Sequence, residues 1–221
     1  MLVARCAEFR GAKWKGGYPD GLALCLVDSV QSTGVTYTSV GNVLDRYRAY
    51  RRNDKGLPEA DGTKELLETF ADLGGSIGWA GKIGNDNKTS TKTGAPLKAE
   101  AIRLAADLLN REGITDTAKL RVAVDSPKLE KVKSEWLRIP GQRSGITWRY
   151  MLMLAGVPGV KPDRMISRFV ADTLGLSRRR VKTDFAADAV LATAERLTMS
   201  PTDLDHAIWD WQRRQRSRTN R

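Results

Sequence analysis

Apolar residues in this chain recur at the three-and-four spacing of a helix nearly everywhere, and no segment alternates apolar with polar over the length of a strand. That pattern restricts the fold to helices packed on helices, an all-α class. Residues 19–31 are apolar on most faces from Leu22 to Val30, which predicts a buried helix. Val40, Val43, Leu44 and Tyr47 stand at i, i+3, i+4 and i+7 and predict one apolar face on a second helix. Leu66, Leu67 and Phe70 mark a third, and Ile102, Ala105, Ala106 and Leu109 a longer one over 97–111. Gly74 to Pro96 breaks the pattern. Its Gly, Asn, Ser, Thr and Lys residues predict a long polar loop with short helical pieces.

Helical spacing resumes downstream. Helices are expected over 127–138, from Ile146 to Ala155, and from Asp163 to Leu174 with Met165, Ile166, Phe169 and Val170 on one face. Ser177 reads as the cap of a helix running to about Leu197. Ser200, Pro201 and Asp203 form a stronger start for the last helix, because proline fits the first helical position and an acid suits the positive first turn. The basic tail from Gln212 is expected to fray and to reach phosphates.

Charge narrows the partners. The 221 residues carry 37 Lys and Arg against 26 Asp and Glu, a formal charge of +11, an excess typical of chains that bind nucleic acid. No segment has the length and apolarity of a membrane span, so no membrane partner is expected and the cytoplasm is the expected location. Two cysteines, Cys6 and Cys25, are too few for a disulfide framework or a four-cysteine zinc or iron–sulfur site. Neither metal nor cofactor is expected.

Two segments carry candidate chemistry. "LRIPGQRSG" places a Pro-Gly turn between two helices. Glycine permits the tight turn and lets backbone N–H groups point outward, beside the positive end of the following helix. "GVPGVKPDRMISRF" then places Asp163 at a helix start with Arg168 one and a half turns on. Counting from Ile139, Asp163 is the twenty-fifth residue and Arg168 the thirtieth. By itself an aspartate in this position is an N-cap.

Turn, apolar helix and aspartate at this spacing together resemble the centre of the helix-hairpin-helix DNA glycosylases of the endonuclease III type. The resemblance covers about residues 18–175. It implies a two-lobed helical fold, with about 30–155 forming the central lobe and 1–29 plus 156–221 the second. It implies a monomer on double-stranded DNA, nucleoid-associated, with a base flipped out of the stack. Asp163 is then the catalytic carboxylate, stabilising the sugar cation as the glycosidic bond breaks and directing water to it. The hairpin residues Gly141, Arg143 and Gly145, with Lys161 and Arg168, are then DNA contacts. Gln31, in "CLVDSVQSTGV", matches the residue that enters the space left by the flipped base.

The chain departs from the family pattern twice. Arg143 replaces the second hairpin glycine. Gly145 stands where members that also cut the strand carry a lysine, which implies a monofunctional enzyme using water. The chain also lacks the four-cysteine cluster of many members. A competing reading takes "GVPGVKPD" as the hairpin, which moves the acid to the neighbourhood of Val181 and Asp184. Among six tryptophans, Trp79 in the polar loop and Trp148 after the hairpin are the candidates for a base pocket. Base excision in DNA repair is the expected role. The alternatives are a non-catalytic helix-hairpin-helix DNA-binding protein and a phage-defence glycosylase acting on hypermodified bases, its pocket shaped by residues 74–96.

Overall fold

A computed structural model describes residues 1–219, with side chains to Gln215. Its described residues form twelve α-helices and two short 3-10 turns, with no strand. The chain divides into two compact units, residues 17–157 and residues 1–16 with 158–221. The expected boundary at residue 29 falls instead at 16. The segment 17–29 belongs with the larger unit because its helix packs there on three sides.

In the larger unit, α2 (Leu22–Gln31) is the centre. All ten of its residues are buried, as an unbroken apolar helix must be, and it packs on α9 (Ile146–Leu154), α6 (Lys98–Arg111) and α3 (Tyr37–Asn53). Val40, Val43, Leu44 and Tyr47 are the buried residues of α3. α4 (Thr63–Asp72) buries Leu66 and Phe70, but Thr69 takes the place expected for Leu67. The unit is completed by α5 (Ser76–Lys82), α7 (Thr117–Ala123) and α8 (Pro127–Trp136).

The segment expected to be mostly loop thus begins as a helix. Gly75, at φ +96°, starts α5, and Trp79 within it is wholly buried. Its ring stacks on Phe70 at 4.7 Å and its Nε1 donates to Thr69 Oγ1. The rest of the loop closes on itself through a single bridge between Lys88 and Leu97.

The smaller unit packs α1 (Leu2–Cys6), α10 (Arg164–Leu174), α11 (Thr183–Leu197) and α12 (Pro201–Thr219) around Phe169, Val170, Val190, Leu204 and Ile208. Ser177 does not cap the long helix. It precedes a 3-10 turn of Arg178–Arg180, and α11 begins only at Thr183. Asp203, in the first turn of α12, accepts from Lys13 Nζ and from the Trp14 backbone, which ties the N-terminal segment into this unit. The expected frayed tail is helical through Thr219, with Gln212 buried. The basic side chains from Arg216 onward lie outside the described residues.

One polar knot anchors the larger unit. Asp61 is buried and accepts from Tyr47 Oη at 2.8 Å and from Arg51 at 2.7 and 3.1 Å, while its carbonyl takes the Ala23 N–H that opens α2. Removing one partner of a buried charged pair leaves the other uncompensated. Asp61→Ala is therefore expected to lower unfolding free energy by about 3 kcal/mol in chemical denaturation, and Tyr47→Phe by about 1 kcal/mol.

Candidate functional site

The Pro-Gly turn forms as two consecutive tight turns. Gln142 N–H donates to the Ile139 carbonyl and Gly145 N–H to the Gln142 carbonyl, both at 3.0 Å. Gly141 at φ +81° and Gly145 at φ +69° take the left-handed conformation that such turns require. Gly145 is also the residue before α9, so the turn delivers the chain directly into that helix. Gln142 is buried beneath the turn. Its Oε1 accepts from Thr147 Oγ1 and its Nε2 donates to the Pro140 carbonyl, which fixes the turn from inside.

Arg143 and Ser144 are exposed at the tip, and among the described contacts their N–H groups take no partner. Arg143 adds an exposed cation there. Gly141 is confined by Thr89. A Cβ there would stand 2.8 Å from the Thr89 Cβ and 2.9 Å from its carbonyl oxygen.

The second Pro-Gly stretch, 156–161, is built differently. Gly159 has no left-handed φ. Its N–H donates to Thr202 Oγ1 at 3.0 Å, and the Lys161 N–H donates to Asp205 Oδ1 at 2.9 Å. Those amides are consumed internally and have no lone hydrogen left for a phosphate. Asp184, the acid of that competing reading, is exposed in the first turn of α11.

Asp163 is the residue before α10 and caps it. Its Oδ1 accepts from the Met165 N–H at 2.7 Å and the Ile166 N–H at 3.2 Å. Oδ2 takes no part in the cap. Asp163 N–H in turn donates to the Lys161 carbonyl at 2.7 Å. Pro162 is buried and the Asp163 side chain half-buried, so the carboxylate is held by backbone on one edge. Its own charge is felt nearby. Burial first, and then Asp163, push the Asp205 carboxyl well above the usual carboxylate range, while the Lys161 N–H and ammonium pull it down.

The remaining sequence candidates fall in several places. Arg168 lines a cleft of about 1150 Å³ in the smaller unit with Arg5, Asp172, Arg178 and Trp211. Arg178 there pairs with Asp172, and Arg5 lies over the Trp211 ring at 4.5 Å. Lys161 is half-buried on the segment leading to Asp163. Gln31 is wholly buried at the end of α2, and among the described residues its side-chain amide makes no hydrogen bond. It therefore presents nothing to the surface in this conformation. The two pocket tryptophans are core residues instead. Trp79 packs under α4 as described, and Trp148, 3 % exposed, meets Trp136 edge-on at 5.3 Å. Neither offers a face for a base to stack on.

Three residues escaped the sequence reading. Thr202 and Asp205 hold the 159–161 segment, but nothing in "SPTDLDHAIWD" separates Asp205 from its neighbouring acids. Lys98 is buried, and its Nζ donates to the carbonyls of Gln31 and Thr33. Burial pulls its pKa down to about 8. It closes the end of α2, where the chain turns toward α3.

A family described as "Domain of unknown function (DUF8548)" matches residues 1–213, and the chain belongs to that family. No curated protein and no solved structure matches it. No helix among the described residues is long and apolar enough to cross a membrane.

Asp163→Ala removes both cap hydrogen bonds and is expected to cost about 1 kcal/mol of stability, whereas Asp163→Asn keeps a side-chain oxygen acceptor and costs a few tenths, roughly. Thermal unfolding of the two variants beside wild type checks this. Equal losses in both variants contradict a cap made through one carboxylate oxygen.

Proposed function

We propose that this protein is a DNA glycosylase of the two-lobed helix-hairpin-helix type. It hydrolyses the bond between C1′ and the nitrogen of a flipped damaged, mismatched or modified base and leaves an abasic site. The observation that carries the reading is Asp163. Its carboxylate spends one oxygen on the α10 cap and has the other left over, at the family spacing from a turn whose two glycines are left-handed.

Glycosidic cleavage develops positive charge at the sugar, so a fixed carboxylate beside C1′ lowers the barrier electrostatically. The cap holds the carboxylate in place before the substrate arrives. The free oxygen is the one that faces the cation and orients the attacking water. With Gly145 where a Schiff-base lysine would stand, water is the nucleophile and the strand is left uncut. The hairpin grips one phosphate through the exposed N–H groups at its tip, with Arg143 adding charge, and reads no sequence. The net charge of +11 supplies the non-specific, salt-sensitive part of the affinity. No metal or cofactor enters the reaction.

A second reading is a non-catalytic helix-hairpin-helix DNA-binding protein in which Asp163 serves only as a cap, and the observed cap bonds favour it. The two part at Asp163→Asn. The decisive panel is duplexes carrying uracil, thymine opposite guanine, alkylated, oxidised, hydroxymethylated and glucosylated bases, scored for strand breaks with and without alkali. The glycosylase reading expects alkali-dependent breaks with one of these bases, and a loss of at least about a hundredfold in Asp163→Asn with DNA affinity retained. It also expects affinity to fall steeply as salt rises. Base release that survives Asp163→Asn rejects Asp163 as the acid. Salt-sensitive binding without release from any duplex favours the binding protein.

A further inference from the structure

The segment that ends on Asp163 does not hold itself. From Pro158 to Asp163 the chain is not helical, and the first turns of α12 hold its Gly159 and Lys161 backbone. Thr202 Oγ1 accepts from the Gly159 N–H at 3.0 Å and lies 3.3 Å from the Gly159 carbonyl oxygen, to which it donates. One helical step on, Asp205 Oδ1 accepts from the Lys161 N–H at 2.9 Å. Residues three apart on a helix share a face, so Thr202 and Asp205 grip alternate residues of one extended segment. The Lys161 carbonyl then accepts from the Asp163 N–H at 2.7 Å, and Asp163 Oδ1 takes the first amides of α10. The bonds form one continuous series from Asp205 to the Asp163 carboxylate.

Asp205 is an expensive residue for this purpose. Burying a carboxyl costs free energy whether it ionises or not, and an asparagine or serine would supply the same acceptor more cheaply at an ordinary loop anchor. Thr202 and Asp205 are both buried, 8 % and 6 % exposed, on a helix whose apolar needs Leu204 and Ile208 already meet.

We propose that Asp205, with Thr202, is a positioning residue for Asp163: it fixes the 159–161 backbone and thereby sets where the Asp163 carboxylate stands. Asp205 touches no reacting atom in this arrangement. Its Oδ1 acts as a backbone acceptor. Its pKa is held well above the usual carboxylate range, mainly by burial.

The inference rests on the glycosylase reading for its rate measurement, and a second measurement stands apart from that reading. The variants are Asp205→Ala, which deletes the acceptor, and Asp205→Asn, which restores one. The first measurement is single-turnover base release at saturating DNA. Asp205→Ala is expected to slow it by at least about thirtyfold, since misplacement of a reacting group by about 1 Å costs on the order of a hundredfold, with DNA affinity within about threefold of wild type. Asparagine is expected to rescue the rate to within about threefold. The second measurement is hydrogen exchange at the Lys161, Asp163, Met165 and Ile166 amides, read by NMR without DNA. Alanine is expected to remove Lys161 protection and weaken the other three, and asparagine to keep all four.

Unchanged exchange in Asp205→Ala overturns the proposal. So does a wild-type rate in that variant, or an asparagine variant as slow as alanine with the Lys161 amide still protected, since the carboxyl would then act by charge. If wild type releases no base at all, the glycosylase reading fails alone and the exchange data still decide whether Asp205 positions Asp163. If Asp205→Ala does not fold, Thr202→Val, which removes only the Gly159 bonds, is expected to slow base release in the same direction and to remove protection of the Gly159 amide while Lys161 stays bonded to Asp205; an unchanged Gly159 amide and a wild-type rate there overturn the proposal.

Discussion

A helix with no polar face has to be surrounded, and that requirement organises the larger unit. Leu22 to Gln31 is buried along its whole length, so α3, α6 and α9 must each turn an apolar stripe toward it. Their stripes are visible in the chain as the three-and-four spacing of Val40, Val43, Leu44 and Tyr47 and of Ile102, Ala105, Ala106 and Leu109. Burying α2 also places α9, and with it the Pro-Gly turn at its N-terminal end. The polar groups carried into the core have to be matched. Asp61 takes the Ala23 amide, and Lys98 takes the carbonyls at the far end. At the two ends of α2, groups drawn from distant parts of the chain, the Asp61 backbone carbonyl and the Lys98 side chain, satisfy helix-end polar groups.

The site candidate is built by a different logic. Asp163 lies on a segment with no regular structure, and irregular backbone near a functional group needs partners for every amide. Those partners come from α12, about forty residues later in the chain. The carboxylate therefore inherits the rigidity of a helix it does not belong to. Its cap bonds add a second restraint from α10. A group held from both sides suits the electrostatic role proposed for it, since preorganised charge spends nothing on reorientation as a cation forms.

How much of this could be read in the residues depended on whether a signal was local. The all-α class, α2, α3, α6 and the final helix were legible because periodicity is a property of short windows. The N-cap at Asp163 was legible because caps have a local grammar. Trp79 was misread because glycines at 74, 75, 78, 81 and 84 look like helix breakers. In the structure two of them serve close packing instead. A Cβ on Gly84 would stand 2.8 Å from the Trp79 ring, and one on Gly78 would strike the Leu73 carbonyl. Ser177 was misread because a good cap residue was followed by three arginines that form only a 3-10 turn. The unit boundary was misplaced because which neighbours a buried helix chooses is not written in the helix. Thr202 and Asp205 were invisible for the same reason: their partners are backbone amides, which have no sequence identity at all.

Gly141 couples the hairpin to the polar loop. The Thr89 backbone and Cβ occupy the space a side chain at 141 would need, and Thr89 N–H and Oγ1 are both bound to the Pro96 carbonyl. The loop is thus a template against which the turn is moulded. A change in the length of 85–96 would be felt first as a change in the pitch of the turn at 141. Drift in that loop is therefore constrained by sterics as well as by whatever it contacts, and the two segments have to vary together or not at all.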